Sequence, residues 1–204
     1  MKTDTFKPIL YSTPMVQAVQ ANRKKQTRRT QGLEIPNQSP SGYEFLGWDK
    51  NVAVFKSSEG KFRDCKPKFN AGDILWVRET FAKPPITAFG VPYIHKAGFD
   101  RTMCGWKPSI FMPKEAARFF LKVTNVRVER LQDISEEDAI AEGIEPGEIG
   151  FKSYNSKNIF EVDALWSFQN LWQSINAKKH PWKSNPWVWV YEFKRIEKPE
   201  NFLP

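Results

Sequence analysis

Ten residues near the C-terminal end of the chain, Trp187 to Ile196, alternate as the side chains of a β-strand do. Successive strand residues point to opposite faces. One face would carry four aromatic residues, namely Trp187, Trp189, Tyr191 and Phe193. The other would carry two valines and then two charged residues, namely Val188, Val190, Glu192 and Lys194. Because so apolar a strand would promote aggregation at a sheet edge, we expect it to lie inside a sheet and to supply part of the core.

Shorter apolar runs predict further strands at residues 43–48, 51–56, 74–78 and 119–131, and residues 27–30 are expected to be extended. A turn at residues 47–50 would join the first two of these strands. The alternation within 119–131 changes phase near Thr124 and Asn125. Such a change predicts a β-bulge, or two strands that meet at a bend.

Three helices are expected, at residues 15–22, 136–142 and 161–175. Thr13 is a favourable N-cap for the first, followed by Pro14 at a position that tolerates proline. Ser135 is a favourable N-cap for the second, which has an acidic first turn and is stopped by Gly143. The third has apolar residues at helical spacing, namely Val162, Leu165, Trp166, Phe168, Trp172 and Ile175.

Many strands and few helices predict an α+β fold, which we expect to be a small β-barrel decorated by helices. The length of 204 residues is consistent with a single domain over 1–204. Two segments rich in glycine, proline and polar residues, at about 31–70 and 82–113, are expected to be insertions. Long excursions of this kind are often functional.

Several classes of protein are disfavoured by composition. Cys65 and Cys104 form no CxxC motif, and His95 and His180 stand alone, so a zinc site is not expected and no cofactor is indicated. No stretch reaches the ~18 apolar residues of a transmembrane helix, and the N-terminus lacks the apolar core of a signal peptide. We therefore expect a cytoplasmic protein without a membrane partner.

A basic run at Arg23 to Arg29 is the feature most suggestive of function. Its seven residues include five cations, namely Arg23, Lys24, Lys25, Arg28 and Arg29. The whole chain has 31 Lys and Arg residues against 23 Asp and Glu residues, a formal net charge of +8. This balance favours a polyanionic partner such as nucleic acid, although a basic run can also be a solvated surface.

An ordered set of motifs resembles the ASCH domain, a branch of the PUA-like superfamily. The residues within the motifs are similar to those of phage-related ASCH proteins. The motifs are Thr13-Pro14-Met15-Val16, Arg23-Lys24, Gln26-Thr27-Arg28-Arg29, Gly72-Asp73-Ile74-Leu75-Trp76-Val77-Arg78-Glu79, Pro108-Ser109-Ile110 with Met112-Pro113, Val126-Arg127-Val128-Glu129-Arg130-Leu131-Gln132-Asp133-Ile134, Glu136-Glu137-Asp138-Ala139, Glu142-Gly143-Ile144 and Asn185-Pro186-Trp187-Val188-Trp189-Val190. Lys25 and Phe111 depart from the family pattern, which usually has threonine and histidine at these places.

The resemblance implies a PUA-like barrel that binds RNA or a modified nucleoside in a basic cleft. It assigns binding to Arg23, Lys25, Arg28, Arg29, Arg78 and Glu79. Some small members hydrolyse the acetyl group of 4-acetylcytidine, and others are linked to ribonuclease activity. For such a hydrolase, the resemblance assigns catalysis to Lys24, Thr27 and Glu142. A third possibility is a phage accessory protein whose partner is another protein.

The residues themselves leave these alternatives open. A threonine hydroxyl such as that of Thr27 is a weak nucleophile unless a base removes its proton, and Lys24 can serve only if burial or cationic neighbours lower its pKa. Glu142 could hold that lysine or move a proton. Alternatively, Thr27 is a strand residue, Lys24 contacts phosphate and Glu142 is a solvated helix end. Among the tryptophans, Trp48 and Trp106 are the better candidates for stacking on bases.

Overall fold

The structure, a computed structural model, describes residues 5–84, 90–99, 105–154 and 160–203. It is α+β, with mostly strands and few helices. The helices of the described residues are α1 (Thr13–Gln20), α2 (Glu136–Ala141) and α3 (Ala164–Asn176). The strands are β1 (Phe6–Leu10), β2 (Gln26–Arg29), β3 (Tyr43–Asp49), β4 (Val52–Ser57), β5 (Phe62–Cys65), β6 (Ile74–Arg78), β7 (Phe81–Ala82), β8 (Ile94–His95), β9 (Phe120–Arg130), β10 (Phe151–Lys152), β11 (Phe160–Glu161) and β12 (Trp187–Ile196).

The chain divides into two compact units. Unit 1 comprises Met1–Asn22, Gly72–Val123 and Phe193–Pro204, and unit 2 comprises Arg23–Ala71 and Thr124–Glu192. The expected insertion at 82–113 belongs to unit 1, and the one at 31–70 belongs to unit 2. The single domain expected over 1–204 stays a prediction.

The main sheet has the strand order β1-β6-β9-β12-β2. In it β1 runs parallel to β6, while β9 runs antiparallel to β6 and β2 antiparallel to β12. The expectation that the Trp187–Ile196 strand lies inside a sheet is therefore confirmed. The remaining described strands form a three-stranded sheet and two two-stranded sheets. No closed barrel is found among the described residues, so the expected barrel is not confirmed.

In unit 2, β12 contributes to the core from both of its faces. Every residue from Trp187 to Tyr191 is buried, because one face packs on helix α3 and the other on aromatic residues. Val188 and Val190 join an apolar cluster with Phe168 and Trp172 of α3. The 31–70 segment is attached to the start of this strand by a pair of hydrogen bonds between Asn37 and the Trp187 backbone.

Helix α3 begins later than its apolar pattern predicts. Asp163 is its N-cap and accepts a hydrogen bond of 2.7 Å from the Trp166 backbone amide, which fixes the first turn at Ala164. The expectation that Trp166 lies on the buried face is wrong, since 54% of the residue is exposed, as is 76% of Val162. Phe168 and Trp172 are buried as expected.

Two local boundaries also differ from expectation. The N-cap of α1 is Ser12 rather than Thr13. Strand β3 extends to Asp49, beyond the expected start of the turn at 47–50, because Gly47, with φ of 143°, allows a register shift inside the strand. The chain reverses at Lys50 and Asn51, since Asp49 pairs with Val52 and Lys50 has a positive φ of 53°.

Strand β9 is a single strand of 11 residues in which the buried face changes. Leu121 and Val123 are buried in its first half, whereas Val128 is buried in its second half. The two phases meet at Thr124 and Asn125, which are both exposed. The phase change in the sequence therefore marks where burial switches from one face of the strand to the other.

Candidate functional site

The basic run begins by capping helix α2 in unit 2. The last carbonyl groups of a helix have no partner within it, and cations are favourable at this negative end of the helix dipole. The Lys25 amide donates to the Ala141 carbonyl at 2.7 Å, and the Gln26 side chain donates to the Asp138 carbonyl at 2.9 Å. Lys24 Nζ donates to the Glu142 carbonyl at 2.7 Å. The three consecutive residues are thereby fixed against the end of α2.

Lys24 and Glu142 form a buried ion pair. Their Nζ and Oε2 atoms are 2.8 Å apart, and their side chains are 1% and 5% exposed. Burial lowers the pKa of Lys24 from its ordinary value, an effect that the Glu142 carboxylate opposes and that the charges of Arg28 and Arg29 reinforce. The solvated helix end that was the alternative reading of Glu142 is wrong, because the residue is buried.

Arg28 joins the pair to two further carboxylates. Its guanidinium contacts Glu142 at 3.1 Å, Glu129 at 2.5 Å and Asp138 at 2.7 Å. Although burial raises the pKa of Asp138, its hydrogen bond to Arg28 and the nearby charges of Arg28 and Arg127 outweigh that effect and lower the pKa overall. Arg28 is 2% exposed, so it reaches these carboxylates rather than the protein surface.

Arg127 extends the cluster along strand β9 and into β12. It contacts Glu129 at 3.0 Å and also pairs with Asp138 and Glu192. We call this set the buried ion cluster after its three buried members, Lys24, Arg28 and Glu142; the other members, Arg127, Glu129, Asp138 and Glu192, are half-buried. It holds three cations and four carboxylates, all in unit 2.

Thr27 lies on the other face of strand β2. Gln26 and Arg28 both reach α2, and alternation directs the side chain between them to the opposite side. There Thr27 is fully buried opposite Tyr191 of β12, and its hydroxyl accepts a hydrogen bond of 2.7 Å from Arg29. The structure thus brings Lys24 to Glu142 and Thr27 to Arg29.

The other cations of the basic run are less buried. Lys25 is exposed, while Arg23 and Arg29 are half-buried. These three residues, rather than Lys24 and Arg28, are the members of the run that a large anionic ligand can reach.

Arg78 and Glu79 lie in unit 1 and have separate partners. Glu79 is 1% exposed and forms two hydrogen bonds, of 2.8 and 2.9 Å, with Arg118. Arg78 donates to the Ile110 carbonyl, and its guanidinium lies 5.5 Å from the Trp76 ring centre. The carboxylate of Glu79 is therefore bridged to Arg118, which comes from a distant part of the sequence, rather than to its neighbour Arg78.

The two tryptophans named as stacking candidates differ in setting. Trp48 is 39% exposed, and its ring centre lies 5.7 Å from that of Trp189 in the core. Trp106 is half-buried. Phe111 is 69% exposed on a short turn of unit 1. Cys104 lies outside the described residues.

Sequence reasoning missed Glu129, Asp138 and Arg127. Arg127 and Glu129 are two residues apart in a strand and so share a face, which is a local pattern that was available. Asp138 was interpreted only as part of the acidic first turn of α2. Its contact with Arg28 joins residues 110 positions apart, which no local pattern reveals.

Among the described residues, no group of three or more His, Cys, Asp and Glu side chains could hold a metal ion. Nor does any described helix have the length and apolar character needed to cross a membrane. Comparison with known proteins gives no match to a family model, a curated protein or a solved structure.

Proposed function

We propose that the protein binds RNA or a modified nucleoside through the basic run Arg23–Arg29, in the manner of an ASCH domain of the PUA-like superfamily. The observation that carries the proposal is that the five cations of the run differ in burial and in pairing. Lys24 and Arg28 are neutralised by buried carboxylates, whereas Arg23, Lys25 and Arg29 are at least partly exposed. A run anchored by its buried members presents the exposed ones in fixed positions, which lowers the entropic cost of binding.

The charge of the whole chain supports the same proposal. The formal net charge of +8 attracts a polyanion over long range, and binding then releases counterions from the nucleic acid. A protein that uses this mechanism loses affinity steeply as salt is added. Each lysine that contacts a phosphate contributes about one unit to the slope of log K against log salt concentration.

The test measures RNA binding across a salt series for the wild type, Lys25→Gln and Lys61→Gln. Lys61 is a matched control, because it is an exposed lysine of unit 2 and its loss changes the net charge equally. We expect Lys25→Gln to weaken binding and to reduce the slope by about one, while Lys61→Gln changes neither. Equal effects of the two substitutions would show that only the overall charge matters and would contradict the proposed interface.

A hydrolase is the second candidate, favoured by the environment of Lys24. A buried lysine with a lowered pKa, next to a carboxylate, is an arrangement that active sites use for proton transfer. In this version Lys24, Thr27 and Glu142 would cleave the acetyl group from 4-acetylcytidine or act on RNA. Thr27 belongs to this set through the resemblance, and Arg29 links it to the rest of the basic run.

Acetate release from 4-acetylcytidine tests the second candidate. Thr27→Val removes the hydroxyl at nearly constant volume, and Thr30→Val is the same change one residue beyond the strand. If Thr27 is the nucleophile, Thr27→Val abolishes turnover and Thr30→Val does not. A wild type that binds RNA without releasing acetate or cleaving RNA is a binding protein. Equal rates for wild type and Thr27→Val would exclude Thr27 as nucleophile.

A further inference from the structure

Next to the buried ion cluster, unit 2 contains a second group of polar residues, of which only Arg23 has a role in the proposed function. Its members are Arg23, Glu145, Lys152 and Tyr154. Lys152 Nζ lies 2.9 Å from Glu145 Oε2, and the Lys152 amide donates to the Glu145 carbonyl at 2.8 Å. Tyr154 is half-buried, with Lys152 Nζ 6.0 Å from its ring centre. Glu145 follows the last residue of helix α2 by four positions, so these contacts place Lys152 near that helix end.

Arg23 is the unusual member of this group. Its Nε atom is buried and has no hydrogen-bond acceptor, and its guanidinium forms no ion pair with any residue that the structure describes. A buried donor without an acceptor is destabilising, and more so when the group is charged. The hydrogen bond from Lys152 lowers the pKa of Glu145, and the charge of Arg23 adds to this effect; burial raises the pKa of Tyr154, and the charge of Arg23 opposes that rise. The charge of Arg23 is therefore not neutralised by an ion pair, and because the residue as a whole is half-buried, an anion can approach it.

The remaining members determine what such an anion would meet. Arg23 and Lys152 carry two positive charges against one negative charge on Glu145, so the group has an excess of one cation. Tyr154 is half-buried beside Lys152, and a tyrosine hydroxyl can donate its proton to an anionic oxygen. An arginine with a tyrosine hydroxyl and a nearby lysine is a combination suited to a phosphate group.

We propose that Arg23, Tyr154 and Lys152 bind the phosphate group of a nucleotide at the site that the basic run forms, so that the ligand is a phosphorylated nucleoside or an RNA rather than a free nucleoside. This rests on the proposed function, which leaves that choice open. Position in the chain joins the two groups of residues: Arg23 precedes Lys24, and Glu145 follows Glu142 by three residues. The negative charge of Glu145 repels a phosphate group, and its carboxylate is paired with Lys152. Glu145 therefore weakens phosphate binding.

Binding of 4-acetylcytidine, its 5′-monophosphate, inorganic phosphate and a short single-stranded RNA is measured by calorimetry. We expect the monophosphate to bind more tightly than the nucleoside. Arg23→Gln should weaken binding of the monophosphate about 10- to 100-fold and weaken binding of the nucleoside much less, because the monophosphate alone offers a phosphate for charge-assisted hydrogen bonds. Glu145→Gln should act in the opposite direction and tighten monophosphate binding. Arg63→Gln is the control, since Arg63 is an exposed arginine of unit 2 on strand β5.

The outcomes separate this inference from the proposed function. If nucleoside and monophosphate bind equally and Arg23→Gln changes neither, the phosphate site is wrong and nucleoside binding stands. If inorganic phosphate binds in an Arg23-dependent way while nucleoside, monophosphate and RNA do not, the anion site stands and the proposed function is wrong. If RNA binds and the monophosphate does not, yet Arg23→Gln weakens RNA binding, the phosphate belongs to the RNA backbone. Binding of none of the four overturns both.

Discussion

Replacing Lys24 by methionine tests whether the buried ion cluster stabilises the protein. The change removes two charge-assisted hydrogen bonds to Glu142, of 2.7 and 2.8 Å, each worth about 1.5–3 kcal/mol. Loss of one partner from a fully buried pair costs about 3–5 kcal/mol, because the other charge is left unpaired. Glu142 keeps its contact with Arg28, and methionine fills most of the lysine volume. We therefore expect unfolding free energy to fall by about 2–4 kcal/mol.

Lys61 provides a close control for this change. Its Nζ lies 2.8 Å from Glu59, the same distance as in the Lys24–Glu142 pair, but the two side chains are 64% and 72% exposed. Exposed pairs contribute about 0–1 kcal/mol, so Lys61→Met should have little effect in urea titrations followed by tryptophan fluorescence. Equal losses for the two variants would refute the argument that burial, rather than the contact itself, gives the Lys24 pair its importance.

The stability difference between wild type and Lys24→Met should also change with pH, in a direction set by the pKa of Lys24. Burial lowers the pKa of folded Lys24 below its ordinary value of 10.5. Between the folded and unfolded pKa values the unfolded chain binds more protons, so this residue makes the protein more stable as pH rises toward 10.5. The difference in stability between wild type and Lys24→Met should therefore grow over that range. A constant difference would mean that folding leaves the pKa of Lys24 unchanged, and a shrinking difference would mean that folding favours its charged form.

Three further predictions concern the core and the turns. Trp189→Ala should cost about 3–5 kcal/mol in urea unfolding, since the residue is fully buried in β12, and a loss below about 1 kcal/mol would contradict its place in the core. Burial raises the pKa of the Cys65 thiol to about 11, so in a Cys104→Ser background Cys65 should be alkylated more slowly at pH 8 in the native protein than in urea. Because the folded thiol keeps its proton, the Cys65 contribution to stability should be lost as pH rises from 9 through 11. Gly150→Ala should lower the melting temperature more than Gly60→Ala does: both have positive φ, but an added Cβ at Gly150 would lie 2.2 Å from a backbone oxygen, and at Gly60 it meets nothing within 4 Å.

The strands were predictable because their pattern is local. Alternation over ten residues places β12 without reference to any other part of the chain, and its apolar character on both faces requires an internal position. The phase change in β9 was visible for the same reason. Helix α3 shows the limit of this reasoning: the spacing of apolar residues includes Trp166, but the N-cap at Asp163 determines where the helix begins. That cap was visible in the sequence, since aspartate is among the preferred N-cap residues.

The buried ion cluster could not be predicted, because it depends on which strands become neighbours. The pairing of β2 with β12 joins residues more than 150 positions apart, and the carboxylates around Arg28 come from β9, α2 and the residue after α2. The basic run looked like a surface feature because a cation far from any carboxylate in sequence has no visible partner. In a folded chain, charged residues this buried are almost always paired, so burial of Arg28 itself required carboxylates nearby.

Two roles for Lys24 can be separated when the stability and binding measurements are made on the same variants. If Lys24 serves only to fix the basic run against α2, then Lys24→Met should weaken RNA binding only as far as it disturbs the positions of Arg23 and Lys25. Binding of the nucleoside monophosphate and binding of RNA should then weaken to a similar extent, while the rate of acetate release from bound substrate stays the same. If Lys24 also moves a proton, acetate release should fall much further than binding does. The contacts of Lys24 with the Glu142 carboxylate and with the end of helix α2 both favour its charged form, which is the form needed to fix the basic run against α2. The second role requires the neutral form, which burial and the neighbouring arginines favour. The balance between these opposing effects determines whether the site binds or also catalyses.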